Sequence, residues 1–324
     1  MVEQRGAFDG AAERVEDVLR PLANDVRLRI VQALVQSPGK TLTYSELHRA
    51  SGVADSGQFS YHLRQLQDRF VKQTDDGYRL RLPAVTLYQA LLAGTALGEN
   101  ESRTIATESP CPSCDGLLEA RYAEDMLSIV CPDCDHHVHH VPFLPGSAEG
   151  KSDEALLRTF DQQLRSTIAL AVSEVCPYCG GSMSHDFLDS AELGRESDDV
   201  AGDDGDDETE GHDETEADEN TWKREKLCDN VVRYECDRCH GQLRTSVGET
   251  LLQSPAVVAF YHDHGLDASR VPTWELSFVV DTDAVETRAA DPWEFVVTAR
   301  VGDEVLAVVV DDSLSVVETV REVR

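Results

Sequence analysis

A chain of 324 residues has room for two or three domains, and its 41% hydrophobic content is enough to bury packed cores. Its formal net charge is −32, from 61 acids against 29 bases of which only five are lysine; this acid-rich, lysine-poor balance suits a halophilic cytoplasm, where carboxylates hold water and salt screens self-repulsion. No run of about 18 apolar residues is present, which excludes a membrane-spanning helix, and Met1–Gly10 lacks the charged-then-apolar order of a signal peptide, so the expected location is cytoplasmic.

The first predicted element is a helix over Ala11–Leu19, interrupted by Pro21. A second runs from about Asn24 to Gln36, with Val26, Ile30, Ala33 and Leu34 as its apolar stripe, and Pro38-Gly39 ends it. Thr43-x-x-Glu46 has the form of a capping box and opens a short helix that turns Leu47 and Ala50 inward. Gly52 turns the chain, and a third helix opens near Asp55-Ser56 with Phe59, Leu63, Leu66 and Phe70 on one face. Strand Val71–Thr74, turn Asp75-Asp76-Gly77 and strand Tyr78–Leu82 complete a hairpin, Asp-Gly being a favoured type I′ dipeptide.

Three short helices followed by a two-stranded wing predict a winged helix-turn-helix. With the apolar positions assigned to the core, the third helix is left with Ser56, Gln58, Ser60, Tyr61 and Arg64 outward, residue types that read base edges and phosphates in a major groove. Arg79 and Arg81 on the wing suit phosphate or minor-groove contact. From Arg20 to Leu82 ten bases face six acids, a net of +4 that leaves −36 for the remainder. One basic module on an acidic body is the distribution that DNA contact requires.

Leu22-Ala23-Asn24-Asp25-Val26-Arg27-Leu28-Arg29-Ile30 resembles the first core helix of ArsR-type winged-helix regulators, and Ser60-Tyr61-His62-Leu63-Arg64-x-Leu66 resembles their recognition helix. The variant Asp55-Ser56-Gly57-Gln58-Phe59-Ser60-Tyr61-His62-Leu63, followed by Gly77-Tyr78-x-Leu80, is similar to a subgroup of haloarchaeal regulators. The resemblance covers about residues 11 to 95 and implies DNA binding, often as a dimer. Metal-responsive derepression does not carry over: ArsR-type sensors place cysteines in or near the helix-turn-helix, whereas the first cysteine here is Cys111. Winged helices also serve as protein-docking domains. A trailing helix opens at Pro83 and runs to about Leu97, with Val85, Tyr88, Leu91, Leu92 and Thr95 on one side, either packed back onto the module or forming a homodimer seam.

Nine cysteines in a chain of this length are no disulfide scaffold, and eight fall in Cys-x-x-Cys pairs. Cys111-Pro-Ser-Cys114 and Cys131-Pro-Asp-Cys134 have the spacing of a structural tetrahedral zinc site. Two intervening residues let both thiolates of a knuckle face one ion, Asp115-Gly116 lets backbone amides point at sulfur, and Leu117–Tyr122 with Leu127–Val130 forms the hairpin between knuckles. Cys176-Pro-Tyr-Cys179 pairs with Cys236-Asp-Arg-Cys239, once Asp189–Glu219, with 16 acids and one Arg, is set aside as an acidic insert expected to be disordered. Ser182–Leu188 and Asn230–Glu235 are then the hairpin arms. A redox reading would need each pair to open a helix in a βα context, which these lack. Cys228 is expected as a buried small side chain, and His136-His137-Val138-His139-His140 as strand alternation rather than a metal site.

Between the ribbons, Ser152 or Asp153 caps a helix to about Val172 with Leu157, Phe160, Leu164 and Ile168 on one face. Beyond them come a short helix Ala256–His262 ended by Gly265, then strands Trp274–Val280, Trp293–Arg300, Val305–Val310 and Leu314–Arg321 in a small antiparallel sheet. His262, Asp263 and His264 read as a polar helix end. The expected fold class is therefore α+β. A winged helix-turn-helix with its trailing helix covers 11–97, a first zinc ribbon 108–145, and a connecting helix 152–175. A second ribbon covers 176–250, interrupted by the insert 189–220, and a small α+β domain covers 255–324. The expected function is a sequence-specific DNA-binding transcriptional regulator with two structural Zn2+ sites, acting on double-stranded DNA. The alternative is a zinc-ribbon adaptor docking a protein of the transcription or RNA machinery. No Gly-rich phosphate loop, Gly-x-Ser-x-Gly elbow or His-Glu-x-x-His is present, so no enzyme is expected.

Overall fold

The computed structural model describes residues 19–37, 41–67, 69–94, 102–188 and 231–323. The expected helix Ala11–Leu19, apart from its last residue, lies outside the described residues, as do Pro38-Gly39, the end of the trailing helix, the acidic run Asp189–Glu219 and Cys228. The chain divides into two compact units, Met1–Gly98 and Glu99–Arg324.

In the first unit, α1 (Asp25–Val35) begins where the Asn24 side chain accepts the N–H groups of Val26 and Arg27. Helix α2 (Tyr44–Ala50) begins at a complete capping box: Glu46 accepts from the Thr43 N–H at 2.8 Å and Thr43 Oγ1 accepts from the Glu46 N–H. Asp55 caps α3 (Ser56–Leu66) by accepting from the Gln58 N–H at 2.6 Å. Each cap satisfies N–H groups that a helix start otherwise leaves unpaired. Ile30, Leu47, Phe59, Leu63, Leu66 and Phe70 meet in one small core.

The hairpin follows as β1 (Val71–Thr74) and β2 (Gly77–Leu80), with Val71 opposite Leu80 and Lys72 opposite Arg79. Its turn is not type I′. That turn needs positive φ at both central residues, yet Asp75 and Asp76 keep negative φ and Gly77 takes φ +136 instead. A Cβ on Gly77 would lie 2.2 Å from the Leu42 carbonyl oxygen, because Leu42 and Tyr78 exchange two backbone hydrogen bonds there. The glycine thus serves a close backbone approach beside the hairpin. Helix α4 (Leu82–Leu92) closes the unit; Ala84 is its buried residue, while Leu82, Leu91 and Leu92 are exposed.

The second unit opens with an antiparallel sheet in the order β3 (Arg103–Pro110), β4 (Leu117–Ala123), β5 (Met126–Val130), β6 (His137–Pro142). Helix α5 (Asp153–Val172) starts at Ser152, whose Oγ accepts the Ala155 N–H. It buries Leu156, Phe160, Leu164, Ile168 and Ala171; the buried stripe includes Leu156, with Leu157 at its margin. A three-stranded sheet follows, β7 (Met183–Leu188), β8 (Val231–Cys236) and β9 (Gln242–Ser246). Its arms pair from Met183 with Cys236 to Leu188 with Val231, so the chain leaves and re-enters the hairpin at directly opposed residues. The order knuckle, strand, strand, knuckle, strand therefore occurs twice.

After α6 (Pro255–Asp263) the run Trp274–Val280 is helical rather than the expected strand. It forms a 3-10 turn over Thr273–Glu275 and a helical turn over Ser277–Val280. A short apolar run carries no period that separates strand from helix, and here Trp274, Leu276 and Phe278 all reach the core. A four-stranded antiparallel sheet completes the unit, β10 (Val285–Ala290), β11 (Trp293–Val301), β12 (Glu304–Asp311) and β13 (Val316–Val323). The last strand starts later than expected. Asp311 Oδ1 accepts the N–H groups of Ser313 and Ser315, and Leu314 takes φ 60, so these residues form the turn. One continuous core runs from Leu118 and Tyr122 through Phe160 and Tyr234 to Phe278, Phe295 and Val308.

Threaded through that core is a polar network. His139 is buried, with Nε2 3.0 Å from Thr273 Oγ1 and Nδ1 3.5 Å from Glu249 Oε1. Asp161 pairs with Arg165 at 2.8 Å and accepts the Thr273 N–H, while Arg165 donates to the Val271 carbonyl. Burial, with the Arg165 charge adding to it, pushes the His139 imidazole down to about 3. Burial pushes the Glu249 carboxyl up to about 7 against the hydrogen bonds it accepts at Ser246. These contacts join β6, α5 and the Thr273 turn, and so tie the first sheet to the C-terminal half.

Candidate nucleic-acid interface and metal centres

Helix α3 sets its buried and exposed faces by its spacing. Phe59, Leu63 and Leu66 face the core, so Gly57, Tyr61, Arg64 and Gln65 lie on the opposite face. Tyr61 is 54% exposed, and Arg64 has no acidic partner among the described residues. Gln58 and Ser56 are also exposed, at the first turn. Ser60 is half-buried at the flank of the exposed face, where its Oγ shares a 2.5 Å hydrogen bond with the Tyr44 hydroxyl. The same hydroxyl donates to the Ser56 carbonyl, so Tyr44 ties α2 to α3 and holds the angle between them. Gln65, outside the outward set expected from the sequence, is exposed on the same face, where helical positions counted from the buried triplet place it. His62 is half-buried with its ring 5.1 Å from that of Tyr61.

Arg79 and Arg81 are both exposed. Val71 and Leu80 occupy the hairpin's inner face, so strand alternation puts Lys72 and Arg79 on the other, with Arg81 continuing it.

In the second unit the eight predicted cysteines gather into two clusters, Cys111, Cys114, Cys131 and Cys134, and Cys176, Cys179, Cys236 and Cys239. Within each cluster all four Sγ atoms lie within 4.8 Å of one another. The close pairs are Cys111–Cys134 at 3.7 Å, Cys114–Cys131 at 3.5 Å, Cys176–Cys239 at 3.7 Å and Cys179–Cys236 at 3.6 Å. A disulfide would need about 2.05 Å. Four sulfurs about 2.3 Å from a central tetrahedral ion stand about 3.8 Å apart, so the spacing fits a metal centre.

All four knuckles are built alike. The N–H of the first cysteine donates to the carbonyl five residues on, as Cys111 to Gly116, Cys131 to His136, Cys176 to Gly181 and Cys236 to Gly241. The Ser113 N–H points at Cys111 Sγ, that of Gly116 at Cys114 Sγ and that of Arg238 at Cys236 Sγ, each at 3.4 Å. Backbone N–H groups of Cys239 and Arg238 hold the Cys236 thiol down at about 6 against its burial, while, against the Gly241 N–H, the neighbouring Cys179 thiol and burial push Cys239 up to about 12, as expected of thiols close enough to resist a second negative charge. Gly181 is required by close approach: a Cβ there would sit 2.9 Å from Arg238 Cβ and 3.1 Å from Cys236 Sγ.

Three of the four histidines in the run make internal hydrogen bonds, and His137 Nε2 lies 3.6 Å from Asp135 Oδ1. His136 Nδ1 meets Ser113 Oγ at 3.0 Å, His140 Nδ1 meets Ser128 Oγ at 2.8 Å, and His139 belongs to the buried network. At the end of α6, Asp263 pairs with Arg321 at 2.7 Å and His264 Nδ1 meets the Phe260 carbonyl. Among the described residues the two cysteine sets are the groups of three or more ligand atoms close enough to share an ion.

A winged-helix-like module followed by a β-rich body with two four-cysteine centres is the class that fold and sites define. Residues 108–316, more than half of the chain, match the family described as "Domain of unknown function (DUF7351)", and the protein belongs to that family. Residues 15–91 match a second, "Domain of unknown function (DUF7347)". No curated protein and no solved structure matches the chain.

Proposed function

We propose that the protein is a sequence-specific DNA-binding transcriptional regulator rather than an enzyme, with zinc in both four-cysteine centres as a structural element. The observation that carries this is the solvent face of α3, where Gln58, Tyr61, Arg64 and Gln65 stand free of the core on a helix capped at Asp55. An amide, a phenol and a guanidinium on the first turns of such a helix suit major-groove edges. Ser56 flanks them, Ser60 is held by Tyr44, and Arg79 and Arg81 contact the backbone. The zinc assignment is supported by four thiolates per site and sulfur spacing of tetrahedral size. Zinc there supplies a fixed charge that holds the knuckles together, and the ribbons build the body that carries the DNA-binding module. The exposed apolar side chains of α4 are compatible with a homodimer on a two-fold-related site.

The test is Arg64→Ala in the full chain, measured on a duplex selected by the wild type and on a scrambled duplex. A lost base contact weakens the selected duplex by about 1–3 kcal/mol and leaves the scrambled one nearly unchanged. Equal affinity of variant and wild type for the selected duplex would remove Arg64 from the readout.

A further inference from the structure

The two four-cysteine centres share one plan and differ in what stands beside the sulfurs. In each, the third residue of the second knuckle lies across the last glycine of the first. A Cβ on Gly116 would run into the Asp133 carboxylate and come within 3.2 Å of Cys131 Sγ. At the matching place in the second centre, a Cβ on Gly181 would lie 2.9 Å from Arg238 Cβ, 3.1 Å from Cys236 Sγ and 3.3 Å from Cys179 Sγ. A carboxylate in one centre thus stands where the other has a side chain ending in a guanidinium. Exposure picks out the same cysteine in both: Cys134 and Cys239 are exposed, while Cys111, Cys131, Cys176 and Cys236 are buried. Cys134 lies between the exposed Asp133 and Asp135, and Cys239 between the exposed Arg238 and His240. His240 Nδ1 is 3.7 Å from Glu235 Oε1, so Arg238 carries the difference in charge. Each exposed cysteine also has a buried neighbour on the opposite knuckle, Cys111 at 3.7 Å from Cys134 and Cys176 at 3.7 Å from Cys239.

We propose that Cys239 is a modification site for hydroperoxides, which convert it with Cys176 into a reversible disulfide while the first centre stays intact. The proposal rests on metal in both centres, where coordinated thiols are held as thiolates. The Cys239 thiolate attacks one peroxide oxygen; the O–O bond breaks, hydroxide departs, and the sulfur becomes a sulfenic acid. The Cys176 thiolate then attacks that sulfur, the S–S bond forms and a second hydroxide departs. The two sulfurs together lose two electrons, the peroxide gains two, and solvent protonates both hydroxides. Two of the four thiolates are then no longer available as ligands, and the centre gives up its ion. In the first step negative charge moves from sulfur to the departing oxygen, which a nearby guanidinium favours and a nearby carboxylate opposes. The reactive pair joins two knuckles, unlike the pair of a Cys-x-x-Cys oxidoreductase, whose disulfide closes within one motif.

The experiment treats the zinc-loaded full-length protein with hydrogen peroxide, follows released zinc with a chromogenic chelator, and maps disulfides by mass spectrometry after alkylation. The expected result is loss of one of two zinc equivalents, a Cys176–Cys239 disulfide, and Cys111, Cys114, Cys131 and Cys134 all alkylated. Dithiothreitol and added zinc restore the second equivalent. Arg238→Gln is expected to slow the release by about two- to fivefold, the effect of one exposed charge, while Arg238→Lys keeps the wild-type rate. Asp133→Arg, which gives the first centre the cation of the second, is expected to make the first centre lose its zinc as well. Equal loss from both centres of the wild type overturns the proposal, as does a disulfide within Cys176–Cys179 or Cys236–Cys239, or an Arg238→Gln rate equal to that of the wild type. Retention of both equivalents under peroxide overturns the Cys239 site and leaves the metal assignment standing. A protein that takes up no zinc before oxidation overturns both.

Discussion

Glu249 and His139 sit side by side in the interior with opposite displacements, one raised to about 7 and the other lowered to about 3. The raised carboxyl contributes stability that is complete below its unfolded value of 4.5 and is lost as pH climbs through about 7. The lowered imidazole contributes stability that is complete above 6.5 and is lost as pH falls through about 3. Between pH 4.5 and 6.5 the two slopes oppose and largely cancel. In Glu249→Gln the opposing carboxylate slope is gone while the histidine slope remains, so stability is expected to rise more steeply with pH across that window than in the wild type. Above pH 7 the variant is expected to gain up to about 3 kcal/mol, read by urea denaturation at fixed ionic strength. A variant with the wild-type profile would show that Glu249 does not titrate in the fold. Sequence alone could not single out this pair: His139 is one of four histidines in five residues, and Glu249 lies 110 residues away. The exposed face of α3 was more legible because helical spacing separates Phe59, Leu63 and Leu66 from what is left outside. The bond that holds Ser60 to Tyr44 was not legible, since it depends on how α2 crosses α3.

With zinc in both centres as proposed, the knuckles are the elements expected to depend most on the ion, for the strands they join are short and four sulfurs converge in each. Cys111→Ser is expected to lower bound zinc from two equivalents to one. It is also expected to destabilise more than the first ribbon, because Leu118, Ile129 and Phe143 share a core with Phe160, Trp274 and Phe278. A structural zinc contributes on the order of 10 kcal/mol, so the cooperative transition of the second unit should fall sharply while that of the first, with its own core, stays. Metal analysis together with calorimetry reads both, and two zinc equivalents with an unchanged transition would contradict the assignment. The elements that sequence revealed were those with a period or a motif: capped helices, Cys-x-x-Cys hairpins, and strands β11 and β12 with alternating Val. Those it missed have neither. Strand β3 turns only Ile105 and Ser109 fully inward, and β10 is an exposed edge held by pairing with β11. Trp274–Val280 reads as a strand because its apolar density does not reveal its helical turns.

Across the molecule the charge is divided unevenly, +4 over Arg20–Leu82 and −36 elsewhere. The boundary between the compact units at Gly98 and Glu99 falls between the two matched families, so a basic head and an acidic body with the two four-cysteine clusters are separate both in sequence and in packing. No helix among the described residues is long and apolar enough to cross a membrane. Under the proposed DNA-binding role the phosphate contribution shrinks as salt rises, so base contacts from α3 are expected to carry a growing share of the affinity. The direct measurement is enrichment of full-length protein on a library of random duplexes at low and at high salt. One short motif, the same at both and sharper at high salt, is the predicted result; recovery of duplexes without a shared motif would contradict the claim that α3 reads sequence.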